Sequence, residues 1–270
     1  MKQYFKLEFK KALFSWKTLI FIFIIIGLFI IPYLKDVIVF NPKLGRVINL
    51  YPREDGVDYY IRISRFSYIG FIGPIMAGLL YSTSAIKDKE SGFMNKLLEV
   101  IDIKTYFKAK LAVNTLLTSI VFAVGQGIII LYLIISFGLN NTLIKDFDMG
   151  AFRSLYNVSK IGYMMVVLLT ITFSSAAFST FIFAITTAME KKFIAYIFPV
   201  FYVIMTGIFF EMWSLNSVVD FNVTELFNLI MNYTTKGFTV ILYDLILILM
   251  GLFILYKFKY KRVLNHTNLI

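Results

Sequence analysis

The sequence predicts an all-α integral membrane protein with six transmembrane helices, and three observations predict it. Hydrophobic residues make up 59% of the 270, with a mean hydropathy of +0.78. Several apolar runs reach the roughly 20 residues that cross a bilayer core of about 30 Å. The polar segments between them are too short for a separate soluble domain, so residues 1–270 read as a single transmembrane domain. Cysteine is absent and His266 is the one histidine. Disulfides, thiol chemistry, metal clusters of Cys and His, and intramembrane metalloprotease chemistry therefore fall away.

Residues 1–16, MKQYFKLEFKKALFSW, place Phe5, Phe9, Leu13 and Trp16 on one helical stripe and Lys2, Lys6 and Lys10 on another. No short apolar region with a small-residue cleavage site follows, so this is no signal peptide. It reads as an amphipathic helix lying on an anionic leaflet. The first span covers residues 18–34, with Pro32 marking its far end. Residues 35–65 are polar and carry turn chemistry at Asn41-Pro42, Tyr51-Pro52 and Glu54-Asp55-Gly56; small helices and a short hairpin both fit. In the second span, residues 66–86, Gly70, Gly73, Ala77 and Gly78 let a neighbouring helix approach, and Pro74 is a candidate kink.

The third span, residues 107–137, exceeds the bilayer thickness and is expected to tilt or project into water. Residues 138–158 are polar, with Asp146-Phe147-Asp148 among them. The fourth span, residues 160–188, carries Ser174, Ser175 and Ser179, which suit tight helix packing or the lining of a polar path. After the short turn Glu190-Lys191-Lys192 comes the fifth span, residues 193–213, with Pro199 and Gly207. Residues 214–236 are moderately polar; Phe221, Leu226, Phe227, Leu229 and Ile230 suggest short helices half-sunk in the interface or re-entering it. The sixth span is residues 238–256, followed by a basic tail.

Six spans put both ends on one side. Segments on that side hold seventeen of the 27 Lys and Arg residues, and the other ten are nearly balanced by carboxylates. The positive-inside rule then places both termini in the cytoplasm, within the plasma membrane of a cell. The net charge of +11 is thereby explained without nucleic acid as a partner. Heavy use of Ile, Phe, Lys and Asn points to a bacterial source with an AT-rich genome.

The stretch Ser84 to Lys110 is the largest polar break between two long apolar runs on the cytoplasmic side. Phe93, Leu97 and Ile101 keep helical spacing, with Met94 and Leu98 beside them, and Lys89, Glu90, Lys96 and Glu99 fall on other faces. The stretch reads as an amphipathic docking handle for a partner, or as a loop whose apolar face rests on lipid headgroups.

No P-loop is present, so the chain binds no ATP by that route; H-E-x-x-H and G-x-S-x-G are also missing, and no catalytic residue suggests itself. Asp244 is the one acid well inside a span, suited to a polar packing network or to proton coupling. Glu211 sits near the outer end of the fifth span beside Trp213, interfacial or ringing an exit.

The organisation resembles the permease subunit of type-2 ABC exporters (the ABC-2 or type V family), over essentially the whole chain. The most specific stretch is Glu90-Ser91-Gly92, then Lys96-Leu97-Leu98, then Lys104, Phe107 and Lys110. Where the family often has proline after the paired leucines, this chain has Val100, Ile101 and Asp102. Ala188 to Pro199, leading into the fifth span, also looks like the family's short turn. The resemblance implies a coupling helix over residues 87–106, with Glu90, Gly92, Phe93, Met94, Leu97, Leu98 and Ile101 seated in a groove of a separate ATPase. The interfacial helix of Phe5, Phe9, Leu13 and Trp16 would touch that ATPase too.

Two ATPases, holding ATP and Mg, would work with two permeases, identical or homologous. The substrate path would run between the permeases along the second and fifth spans. Phe71, Met76, Phe201, Met205 and Phe209, with Glu211 and Asp244, are its candidate lining or gate. Short extracellular helices before the last span would close it. An amphipathic or hydrophobic cargo follows, such as a peptide, a lantibiotic-like toxin or a drug. A proton-coupled secondary transporter or channel built on Asp244, and a non-transporting sensor or scaffold, are the competing readings.

Overall fold

The computed structural model describes residues 2–41, 46–140, 143, 150–212, 222–230 and 236–260. Twelve α-helices and one hairpin account for most of these residues. Lys2–Leu13 (α1) leads into Trp16–Pro32 (α2), whose start is capped by Ser15 accepting from the Thr18 amide. Pro32 does not end the first span, as the sequence suggested. Proline removes one amide from the helical ladder, and the chain widens into a π-helical turn, Tyr33–Val37, that carries the span to Val37. An antiparallel hairpin of Ile38–Asn41 (β1) and Arg46–Asn49 (β2) follows. Asp55 then starts Gly56–Phe66 (α3) with a capping box closed by Asp58.

The second span is Ile69–Leu79 (α4) and, after a bend at residues 80–83, Ser84–Glu90 (α5). It was expected to run unbroken to residue 86. The bend frees two carbonyls, and side chains meet both: the Ser82 hydroxyl donates to Gly78 and the Lys17 ammonium to Leu79. Phe93–Leu98 (α6) and Ile103–Phe137 (α7) come next. At 35 residues, α7 is longer than the expected third span, reaching about 52 Å at 1.5 Å per residue, well beyond a bilayer core.

Arg153–Val158 (α8) precedes Lys160–Met189 (α9) and Lys192–Met212 (α10). Val223–Phe227 (α11) and Gly237–Ile254 (α12) follow, and α12 is prolonged by π-helical turns over Leu255–Tyr260.

Six of these segments are long and apolar enough to cross a membrane: Trp16–Val37, Ile69–Glu90, Ile103–Phe137, Lys160–Met189, Lys192–Phe210 and Gly237–Lys257. The chain is thus an all-α multi-pass membrane protein in its main plan. The spans differ sharply in burial: 72% of the most apolar stretch of α9 is inside the protein, against 17% for α10. The central helix is therefore α9, packed by α7 on one side and α12 on the other. Its hydroxyls serve packing: Ser175 donates back to the Thr172 carbonyl and Ser179 to Ala176, both in its own backbone. The large core runs the length of the bundle. A smaller cluster at the N-terminal end joins Ala85, Met94, Tyr106, Phe107, Phe183, Ala184 and Leu255. Tyr4 and Leu255 both pack there, so the start of the chain and the end of α12 lie at the same end of the bundle.

The far end is more deeply built than its polar sequence indicates. Helix α3 is buried over most of its length against α7, and its first amide donates to the Gly138 carbonyl at 3.0 Å. Helix α11, in the described part of residues 214–236, packs against α4, α9 and α10. Its Phe227 ring stands 5.5 Å from Phe122 and 6.3 Å from Phe178, centroid to centroid, both midway along their helices. Gly73 makes room for it, because a Cβ there would meet Phe227 Cδ1 at 2.7 Å. Asp146, Phe147, Asp148, Trp213, Phe221 and His266 lie outside the described residues.

Candidate functional site

The expected docking handle is a pair of short helices broken at Ser91-Gly92. Gly92 takes φ +71°, a left-handed conformation that a side chain would strain. The break turns α6 back onto the bundle. Met94 is buried in the small cluster, and Leu97, Leu98 and Ile101 pack against its edge. Met94 of α6 is therefore covered by the protein itself, while Leu97, Leu98 and, beyond the helix, Ile101 are partly covered. Phe93, 43% exposed, Val100, 83% exposed, and the charged Glu90, Lys96 and Glu99 point outward.

Three groups of charges tie α5 to the rest of the fold. Glu90 pairs with Lys192 at the start of α10, and Lys89 pairs with Glu190 in the turn before it. Asp88 pairs with Lys110 of α7 at 2.7 Å and accepts from the Tyr106 hydroxyl at 2.8 Å. Lys110 is 1% exposed and also donates to Glu8 of α1, which accepts a hydrogen bond from Tyr81 as well. Burial would raise the Glu8 pKa, but the Lys110 charge and hydrogen bond outweigh it and hold the carboxyl below its usual range. Burial, with the nearby Glu8 and Asp88 charges, pushes the Tyr4 hydroxyl upward. One ammonium thus joins α1, α5 and α7.

Sequence reasoning passed over Glu8 and Asp88. Glu8 is the sole acid in the first 35 residues, amid lysines, and that isolation was the available clue.

Because Glu8 and Ala12 face inward, the predicted aromatic stripe of α1 is only half against the bundle. Phe5 and Phe9 stack at 5.8 Å, and with Leu13 they flank the core, while Trp16 belongs to the first turn of α2 and is 81% exposed.

Of the candidate path residues, Phe201, Met205 and Phe209 form one half-exposed stripe along α10, and Phe71 is half-exposed on α4. These two helices meet where a Cβ on Gly78 would touch Pro199. Met76 is buried in the core, away from that surface. Glu211 lies in the last turn of α10, and its side chain falls outside the described residues. Asp244 is fully buried between α12 and α9; Ser174 donates to its Oδ2 at 2.7 Å, and Oδ1 has no partner. It is not part of the α4–α10 surface.

At the far end, Lys160 Nζ sits 2.6 Å from Asp58 Oδ2 and 3.1 Å from Asp55 Oδ2. Tyr156 donates to Asp58 Oδ1 at 2.8 Å, and the Asn140 amide to Asp55 Oδ2 at 3.0 Å. Burial favours protonation of both acids. At Asp55 the amides of Asp58 and Asn140, with Lys160, prevail and hold the pKa low. At Asp58 burial, with the Asp55 charge, keeps it high. The network staples α3, the exit of α7, α8 and α9, and Asp55, Asn140 and Lys160 also border a cavity of about 260 Å³ there. No group of His, Cys, Asp and Glu among the described residues is placed to hold a metal.

No family model, curated protein or solved structure matches the chain.

Proposed function

We propose that this chain is the membrane-spanning subunit of an ATP-driven exporter of the ABC-2 kind. It would move an amphipathic or hydrophobic substrate, such as a peptide, toxin or drug, out of a bacterial cell, with ATP and Mg held in a separate ATPase. The observation that carries this reading is the α5–α6 pair. It projects Glu90, Phe93 and Val100 outward, and ion pairs link α5 to α1, α7 and the start of α10. A push on its outer surface would be passed to three parts of the bundle at once, as a rigid-body transition requires. The positive-inside bias puts this surface in the cytoplasm, where an ATPase would reach it. With Met94 turned inward and Leu97, Leu98 and Ile101 partly covered, the coupling contact would centre on Glu90, Phe93, Lys96, Glu99 and Val100.

The least buried span, α10, offers Phe201, Met205 and Phe209 to a second permease copy or homologue and to the substrate between them. Helix α11, seated against α4 and α10, would close the outer end of that path. Asp244 favours the competing proton-coupled reading through its unpartnered Oδ1. Against that reading, Ser174 is its sole hydrogen-bond partner among the described residues, so no relay leads from it.

The test is purification of the full-length chain from its native membranes in mild detergent. The expected outcome is an associated P-loop ATPase with vanadate-sensitive hydrolysis, which Glu90→Lys with Gly92→Ala lowers by about tenfold while the chain still inserts. A preparation without such an ATPase, or unchanged hydrolysis in the double variant, overturns the proposal.

A further inference from the structure

We infer that the cleft between α1, the start of α2 and the α4–α5 bend is a binding site for a phosphate-bearing anion at the membrane surface. The cleft has a volume of about 320 Å³, and Lys11, Lys17 and Lys87 stand around it. A fourth lysine, Lys110, also borders it, but Glu8 and Asp88 already neutralise that one. None of Lys11, Lys17 and Lys87 forms an ion pair among the described residues. Lys17 is half-buried, donates to the Leu79 carbonyl, and lies near enough to Lys87 for the two charges to repel. Glu8 and Asp88 also line the cleft but are both paired with Lys110, so the mutual repulsion of Lys17 and Lys87 is an electrostatic cost that an anion would relieve.

Hydrogen-bond donors point the same way. The Ser84 hydroxyl is buried on the cleft wall beside Tyr81. Ser15, also on the wall, caps the N-terminus of α2, where the positive end of the helix dipole favours a negative group. The remaining wall is apolar, formed by Ala12, Leu80 and Leu117.

The position of the cleft narrows the ligand. The first span begins at Trp16 and the second bends at residues 80–83, so the cleft opens where a spanning helix meets the headgroup layer. A phosphate group there comes from one of two sources: the headgroup of an anionic phospholipid in the adjoining leaflet, or free inorganic phosphate. Both present the same charged oxygens to Lys17, Lys87 and Ser84.

The test uses the full-length chain in a neutral detergent, with phosphatidylglycerol, phosphatidylcholine and inorganic phosphate as probes. Binding is read by native mass spectrometry and by the shift in thermal unfolding. Phosphatidylglycerol is expected to bind and raise the unfolding temperature, and phosphatidylcholine to do neither. Each lysine lost should weaken binding about fivefold, so Lys87→Gln shows that loss and Lys17→Gln with Lys87→Gln about twenty-fivefold. Lys104→Gln with Lys108→Gln removes the same charge from exposed positions of α7 and should leave affinity within about twofold. Phosphate matching the lipid assigns the site to the free anion; a response to lipid alone assigns it to the headgroup. The inference fails if neither anionic probe binds, if Lys87→Gln and the double variant bind as the parent does, or if the Lys104 and Lys108 control loses as much. Lys87 is exposed and its side chain makes no hydrogen bond or ion pair among the described residues, so its single variant remains a test should the double variant not fold.

Discussion

Asp55 and Asp58 share one ammonium yet stand in unequal positions. Asp55 Oδ1 caps α3 by accepting from the amides of Val57 and Asp58, and its Oδ2 accepts from the Asn140 amide and Lys160. An amide side chain would turn a donor toward one of those donor pairs. Asp58 has an easier substitute, because an Asn there can offer its oxygen to Lys160 and its NH2 to the Tyr156 hydroxyl, which can accept. Asp55→Asn should therefore destabilise by about 2 kcal/mol more than Asp58→Asn in thermal unfolding; equal losses would refute this account.

The N-terminal cluster gives a second contrast. Removing Lys110 leaves Glu8 and Asp88 without their cation, held only by the Tyr81 and Tyr106 hydroxyls, whereas Glu8→Gln leaves Lys110 paired with Asp88. Lys110→Met should cost about 3–5 kcal/mol and Glu8→Gln clearly less. The Glu8 carboxyl titrates below its ordinary value of 4.5 in the folded chain. Its contribution is complete above that pH and is lost as pH falls through the lowered value. Protease protection of α1 should accordingly hold at pH 6 and fade below about pH 4; a Glu8→Gln chain should show less of that fading.

At the scale of elements, α11 stands out as a five-residue helix whose Phe227 reaches rings midway along α7 and α9. So short a helix has no stability of its own and is held by that side chain. Phe227→Ala should open a cavity and cost about 3–5 kcal/mol, and hydrogen exchange should show α11 released while α9 stays protected. Protection of α11 equal to that of the parent would mean that the backbone, and not this ring, seats it. The α5–α6 pair teaches a different lesson. Apolar spacing at Phe93, Leu97 and Ile101 showed a helix with a greasy side, but spacing is blind to what the side faces. The left-handed turn at Gly92 decided that by folding α6 onto Ala85, Tyr106 and Phe107.

For the molecule as a whole, six helices long and apolar enough to cross a membrane were legible because apolar length is a local property, but the helical turn past Pro32 and the bend at residues 80–83 were not. Much of what locks the bundle was not legible. Glu8 meets Lys110 across 102 residues, and Tyr60 donates to Gln126 across 66. Single polar residues announce no partner at such separations. Helix α3 was hidden for a related reason: Glu54-Asp55-Gly56 carries the composition of a surface turn, but Asp55 is a buried cap.

The orientation of the molecule rests on charge counting, and the absence of cysteine makes it directly testable, since single cysteines need no background removed. Lys6, Lys257 and Asn157 are exposed, the first two at the N-terminal end of the bundle and the third beside α9 at the far end. With a membrane-impermeant maleimide, Lys6→Cys and Lys257→Cys should stay unlabelled in intact cells and react after permeabilisation, while Asn157→Cys reacts at once. Reaction of all three together would break the six-span topology. The reversed pattern would leave that topology standing but place the α5–α6 surface outside the cell, beyond the reach of any ATPase, and the proposed function would fall with it.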